Sequence, residues 1–302
     1  MRKTILKTII YIVACLVGPF VITTCMSGNG GASKGGEAVK TVIKQNDLYA
    51  RDMDMTEYVI GTVAAYYKAE DSAEFLKAFA VVVRTYGEYM KSNGAAADSA
   101  GSALRYMSTQ DMKTAWGADY DTYYGIIEQA VRSTDNEVMK YDDKLFIPYF
   151  HIISTGYTRA SDIGYLASVD CMDDRNDDDF ISVVKYTDSE VRSRLKNTWP
   201  DIRMDAEDSG VFQIIERDDS GYVTEIMAGR ITTDGETFAE CMGLKSSSFT
   251  VDVNSGNIIF TVKGDGAGYG MSLCNARTKA SGGAVYKEIL NYYYKNITIT
   301  NV

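Results

Sequence analysis

The stretch Asp71-Ser72-Ala73-Glu74-Phe75-Leu76-Lys77-Ala78-Phe79-Ala80-Val81-Val82-Val83-Arg84-Thr85-Tyr86-Gly87-Glu88-Tyr89-Met90 decides the class of fold. Phe75, Phe79, Val82, Val83, Tyr86 and Met90 recur at helical spacing, which lays them along one face of an α-helix. Asp71 followed by Glu74 reads as a variant of the capping box, and Asn93-Gly94 ends the run. Upstream, Glu57 to Tyr67 has the same character, with Tyr58, Val59, Val63 and Tyr66 or Tyr67 on one face. Downstream, Tyr120 to Arg132 reads as another helix.

Beyond these helices the period changes. Glu137 to Tyr141 and Leu145 to Ile153 flank Asp142-Asp143, the pattern of a β-hairpin. A second hairpin is expected from Val211 to Ile215 and Tyr222 to Ala228 around Asp219-Ser220-Gly221. A third joins Phe249 to Val253 and Ile258 to Val262 through Asn254-Ser255-Gly256. Thr187 and Glu190 cap a short helix that stops before Pro200, and a helix from Ala284 to Tyr294 closes the chain. Helices interleaved with antiparallel hairpins, without βαβ regularity, predict an α+β fold.

The 302 residues, 45% of them hydrophobic, are enough for a sizeable core. The formal net charge of −10 and the absence of a Lys/Arg cluster argue against nucleic acid as a partner. The densest charge run, Asp170 to Asp179, is acidic and reads as a solvated loop, since it lacks the Gly-centred spacing of a calcium loop. Tyrosine is abundant, with 22 residues against two tryptophans. Its flat apolar body and polar tip suit either amphipathic packing or stacking on sugars. Five cysteines include no C-x-x-C pair, so isolated thiols are expected and no disulfide framework is.

Arg2, Lys3 and Lys7 precede an apolar run from Ile9 to Ile22. Basic residues before such a run place the N-terminus in the cytoplasm and the remainder outside. Residues 1–26 therefore read as a single-pass membrane anchor, a transmembrane helix, with a cleaved signal peptide as the competing reading. Residues 27–45, Gly- and Ser-rich from Ser27 to Gly36, read as a linker. One soluble domain is expected over 46–302.

Three collinear stretches then resemble the stage II sporulation protein D (SpoIID/LytB) family of bacterial cell-wall proteins. Glu57-Tyr58-Val59-Ile60-Gly61-Thr62-Val63-Ala64-Ala65, followed by Phe75 to Tyr86, is similar to the family's Y-L-x-G-V-V-A-A-E-M-P and A-L-K-A-Q-A-V-A-A-R-T-Y. Pro148-Tyr149-Phe150-His151-Ile152-Ile153-Ser154 through Thr158, continued by Tyr165 to Val169, resembles Y-H-S-T-S-G-G-x-T and Y-L-x-S-V. Gly264 to Ser272, with Tyr286 to Leu290 and Tyr292 to Tyr294, resembles G-x-G-H-G-V-G-M-S-Q and Y-x-E-I-L-x-H-Y-Y.

The resemblance implies a single domain with a glycan groove, outside the cytoplasm, acting on peptidoglycan. The family includes membrane-anchored lytic transglycosylases and enhancers of wall amidases. The lytic reaction cleaves the bond after N-acetylmuramic acid with the sugar's own 6-hydroxyl as nucleophile. One carboxylate, the glutamate of A-A-E-M-P, serves as acid and base. Aligned without a gap, that position is Tyr66 here. A phenol of ordinary pKa about 10 suits the task poorly, and losing a placed acid/base typically removes ~10²–10⁴ in rate. Ala267 and Leu273 also replace the family's histidine and glutamine, and Ile152-Ile153-Ser154 its polar triplet. Glu70 is a weak substitute acid, and Glu57 points away round the helix.

The implied substrate-contacting positions are Tyr66, Arg84, His151, Ser154, Gly268, Tyr269, Gly270 and Ser272. Arg84 has an equally plain reading as an internal clamp, and the alternating glycines as a tightly packed turn. Zinc is associated with some relatives. Here His151 has only Cys171 as a companion, short of the three or four ligands zinc takes, so no cofactor is expected. The sequence thus reads as a degenerate member that binds wall glycan or assists a wall hydrolase or amidase. An active transglycosylase with a displaced acid is the alternative.

Overall fold

The computed structural model describes residues 53–93, 104–134, 136–202, 212–254 and 256–302. The anchor and linker readings, on residues 1–45, lie outside them. Among the described residues no helix is long and apolar enough to cross a membrane. The chain groups into two compact units, one of residues up to 139 with 144–147 and 300–302, the other of 140–143 and 148–299.

The first unit is helical. Asp54 opens α1 (Met55–Ala64) by accepting from the Thr56 and Glu57 amides at 2.9 and 3.2 Å. The helix unwinds as Tyr66 and Tyr67 donate to the carbonyls three residues back, a tighter turn that leaves both residues beyond its end. α2 (Ala73–Asn93) buries Phe75, Phe79, Val82, Val83, Tyr86 and Met90, the face expected. At its start Ser72 Oγ accepts from the Phe75 amide at 3.3 Å. Asp71 Oδ2 instead accepts from the Lys68 amide, closing the turn before the helix. α3 (Thr109–Trp116), opened by a capping box of Ser108 and Asp111, leads through a short 3₁₀ turn into α4 (Tyr120–Ser133). α1, α2 and α4 pack on one another. Gly61 lets the following segment cross α1 closely, since a Cβ there would lie 2.2 Å from the Tyr106 ring.

β1 (Glu137–Tyr141) ends at Asp142 and Asp143, whose φ values of 49° and 59° are those of a type I′ turn. The hairpin expected there does not form. Its second arm holds Pro148, which has no amide to give a ladder, and only β2 (Phe150–His151) is extended.

The rest is mixed. A 3₁₀ turn (Met172–Asn176) precedes β3 (Ile181–Thr187) and α5 (Asp188–Thr198), which has the expected Thr187–Glu190 capping box. β4 (Phe212–Arg217), β5 (Val223–Ala228) and β6 (Ile231–Thr233) form one antiparallel sheet. α6 (Gly235–Met242) follows, then β7 (Phe249–Asn254) and β8 (Asn257–Lys263), with β8 central between β3 and β7. Both hairpins stand where the alternation put them. Phe238, Phe249 and Phe260 form the core between these sheets and α6, with ring centres 5.4 to 5.9 Å apart.

β9 (Met271–Ser272) pairs in parallel with β2. α7 (Leu273–Ser281) and α8 (Tyr286–Tyr293) follow, the second of them the helix expected over Ala284 to Tyr294, and a strand not expected, β10 (Ile297–Asn301), comes after it. β10 is the partner of β1. Helix with mainly antiparallel sheet confirms the α+β class.

Candidate functional site

In the first unit, Tyr66 sits just past the α1 cap. Its hydroxyl accepts from the Arg105 amide at 3.3 Å, its ring meets Phe79 edge-on at 5.4 Å, and the Arg105 guanidinium lies 5.6 Å from the ring centre. The side chain is thus half-buried between an apolar wall and a cation. Glu57 is exposed in the first turn of α1. Glu70 is exposed in the turn that links α1 to α2. Arg84 is an internal clamp: its guanidinium donates to the Glu137 and Val131 carbonyls, both at 3.0 Å, tying the end of α4 to the start of β1. Burial lowers its pKa, and the carboxylates of Glu137 and Glu88 oppose the shift.

In the second unit the other two motif stretches interlock. The Ile152 and Ile153 amides donate to Asp265 O at 3.0 and 3.1 Å, and the Asp265 amide donates back to Ile153 O at 2.8 Å. Close approach explains the glycines. A Cβ on Gly268 would lie 2.4 Å from the Tyr222 ring, and one on Gly270 1.8 Å from Tyr149 O. Both residues have positive φ, 82° and 69°, which a side chain would also resist. His151 lies beneath this loop, 3% exposed. Its Nδ1–H donates to Tyr269 O at 3.1 Å, which fixes the tautomer because a carbonyl only accepts. Nε2 is buried without a partner, and burial pushes the imidazole pKa down to about 4.

The joint between these stretches is Asp174. Its Oδ2 accepts from the Ser154 amide and from Ser272 Oγ, each at 2.7 Å. Ser272 Oγ in turn accepts from the Asn275 amide at the start of α7. Asn275 Oδ1 accepts from Tyr293 Oη of α8 at 2.7 Å. Asp174 Oδ1 is buried with no partner, and burial raises the carboxyl pKa against these hydrogen bonds. The acidic run is therefore not a uniformly solvated loop. Cys171 and Asp174 in it and Phe180 just after it are buried and Asp177 partly so, with Asp174 turned inward by the 3₁₀ turn Met172–Asn176.

Arg159 was also missed, because a lone arginine in a loop carries no periodic signal. It is buried, with Nε donating to Asp218 Oδ2 at 2.6 Å and Nη1 bonded to Glu236 and to Ala267 O. Tyr222 and Tyr269 flank its guanidinium, with ring centres at 4.9 and 4.5 Å. Tyr269 thus has a cation against it and is only partly exposed. Ser154 and Ser272 are fully buried. Among the described residues no group of three His, Cys, Asp or Glu side chains is placed to hold a metal ion, and Cys171, Cys241 and Cys274 are free thiols.

A family model described as stage II sporulation protein matches residues 44–141. The chain is 29% identical over 289 residues to stage II sporulation protein D of Bacillus subtilis (strain 168), covering 89% of this chain and 82% of that protein. It is 29% identical over 273 residues to the protein of the same name in Bacillus amyloliquefaciens, covering 86% and 78%. An uncharacterised protein of Brachyspira hyodysenteriae is 25% identical over 268 residues, with 86% and 70% covered. These likenesses run through both units, well beyond the region the family model matches.

Proposed function

The chain belongs to the stage II sporulation protein D family, and from that premise we propose that it is an extracytoplasmic, membrane-anchored protein that binds wall glycan, alone or in aid of a wall hydrolase, without efficient lytic cleavage. The observation that carries this reading is the environment of Tyr66. Protonating a glycosidic oxygen near neutral pH needs an acid of matched pKa at hydrogen-bond distance. At the position where the family resemblance expects that acid stands a phenol whose oxygen is engaged by the Arg105 amide. The framework that would present it is intact: α1, the unwinding turn after Ala65 and the Arg84 clamp on α2. A retained scaffold with an altered reacting group is what a binding-only relative requires.

The test is incubation of the full-length protein with purified sacculi. The protein is expected to sediment with the sacculi and to release no 1,6-anhydro-muropeptides above background. Release at the rate of an active relative would overturn the reading, as would failure to sediment.

A further inference from the structure

The first unit carries an aromatic surface that the candidate site does not use. Tyr67, Trp116, Tyr120, Tyr123 and Tyr124 come from the turn after α1, the end of α3 and one face of α4, and each is half-buried. Their rings form a continuous series. Tyr67 meets Tyr123 at 5.3 Å, Tyr123 meets Trp116 at 5.7 Å, Trp116 meets Tyr120 at 6.4 Å and Tyr120 meets Tyr124 at 5.5 Å. A core would bury such rings fully, as this protein does with Phe75, Phe79 and Phe238. Here they stay at the surface, which for large apolar groups marks a place of contact.

The series begins at Tyr67, the residue next in the chain to Tyr66, which is the position that the family resemblance assigns to the reacting centre. Its border is acidic. Asp119 and Asp121 are exposed beside Tyr120, and the Glu70 and Asp71 carboxylates raise the Tyr67 pKa further after burial has done so. Lys113 lies over the Tyr120 ring at 5.3 Å. Aromatic faces offer a surface for the C–H face of a pyranose, and flanking carboxylates accept from sugar hydroxyls. The same carboxylates repel nucleic acid and anionic lipid.

We propose that this aromatic surface is an extended sugar-stacking subsite that seats several amino-sugar units of a glycan strand running away from Tyr66. The inference deepens the glycan-binding reading and rests on it. Tyr67 and Trp116 form the inner part, and Tyr120 with Tyr124 the outer.

Trp116 is one of two tryptophans, so a Trp199→Phe background makes it the sole reporter in the full-length protein. Titration with amidase-stripped glycan strands is expected to shift Trp116 emission to the blue and to saturate. In that background the Tyr120→Ala/Tyr124→Ala double variant, still folded by its circular dichroism, is expected to weaken binding roughly fivefold to tenfold. Tyr123→Phe is expected to bind as tightly as the parent, because its ring face is retained. If the parent sediments with sacculi while Trp116 emission stays fixed and the double variant binds equally, the subsite is wrong and the proposed function survives. If the emission shift follows protein concentration without glycan, the surface is a contact between copies and the subsite is again wrong. Failure to sediment with sacculi is a different result, because it removes the glycan-binding reading itself.

Discussion

Tyr66 and Asp174 each have a test of their own. Tyr66→Glu would place a carboxylate where the family resemblance expects one, but beside the Arg105 guanidinium, which lies 5.6 Å from the present ring. A nearby cation favours the ionised carboxylate and makes it a weaker proton donor. The single variant is therefore expected to gain only slight release of anhydro-muropeptides, with its optimum on the acid side. Tyr66→Glu with Arg105→Gln should release more and move that optimum upward; identical pH profiles for the two variants would refute the electrostatic argument. Asp174 is tested through stability. Asp174→Ala leaves the Ser154 amide and the Ser272 hydroxyl without their buried acceptor and is expected to cost about 2–5 kcal/mol in urea unfolding. Asp174→Asn keeps an acceptor oxygen and should be mild. The unfolded chain releases the Asp174 proton near the ordinary 3.8, whereas the buried group holds it to higher pH. Across that window the folded state carries the extra proton, so stability falls as pH rises and returns as it falls. The melting temperature of Asp174→Asn relative to the parent should accordingly climb from pH 4 toward pH 7, and a gap independent of pH would contradict it.

At the scale of elements, the packed β2–β9 junction and the open surface of α4 make opposite predictions for the same kind of change. Gly270→Ala drives a Cβ into Tyr149 O, the acceptor of the Met271 amide, at a residue with φ of 69°. It is expected to destabilise by about 3 kcal/mol or more. Gly125→Ala sits in the exposed interior of α4 with nothing within 4 Å and should stabilise by about 0.5–1 kcal/mol. Chemical unfolding of both variants checks the pair. These elements also show what sequence can reveal. Regular periods were legible: α2, α4, the β4–β5 and β7–β8 hairpins and the α5 capping box all stand where alternation or helical spacing placed them. Elements whose pairing is long-range or very short were not. β2 and β9 are two residues each and meet across more than a hundred residues of chain, so no local pattern announces them. The Asp142-Asp143 turn is legible but the absence of its hairpin is not: the second arm holds Pro148, which has no amide to give a ladder, and only Phe150–His151 of it forms a strand. The glycine stretch was recognisable as a motif, whereas the need for each glycine became evident only from the carbonyl or ring facing it.

For the whole molecule the governing quantity is charge. Thirty-one basic residues against 41 acidic ones leave a formal net charge of −10, and a wall strand carrying peptide carboxylates is negative as well. On the proposed function, attachment comes from stacking and hydrogen bonding that outweigh a general repulsion. That repulsion acts over roughly a Debye length, about 10 Å at 0.1 M salt, and shrinks as salt is added. A protein that held the strand through lysines and arginines would show the reverse, with affinity dropping steeply as counterions compete. Retention on sacculi is therefore expected to stay level or rise modestly when sodium chloride is increased from roughly 50 to 500 mM, an interval over which the Debye length shrinks severalfold. A fall of tenfold or more over that interval would mean that a basic patch, and not an aromatic face rimmed by carboxylates, carries the attachment.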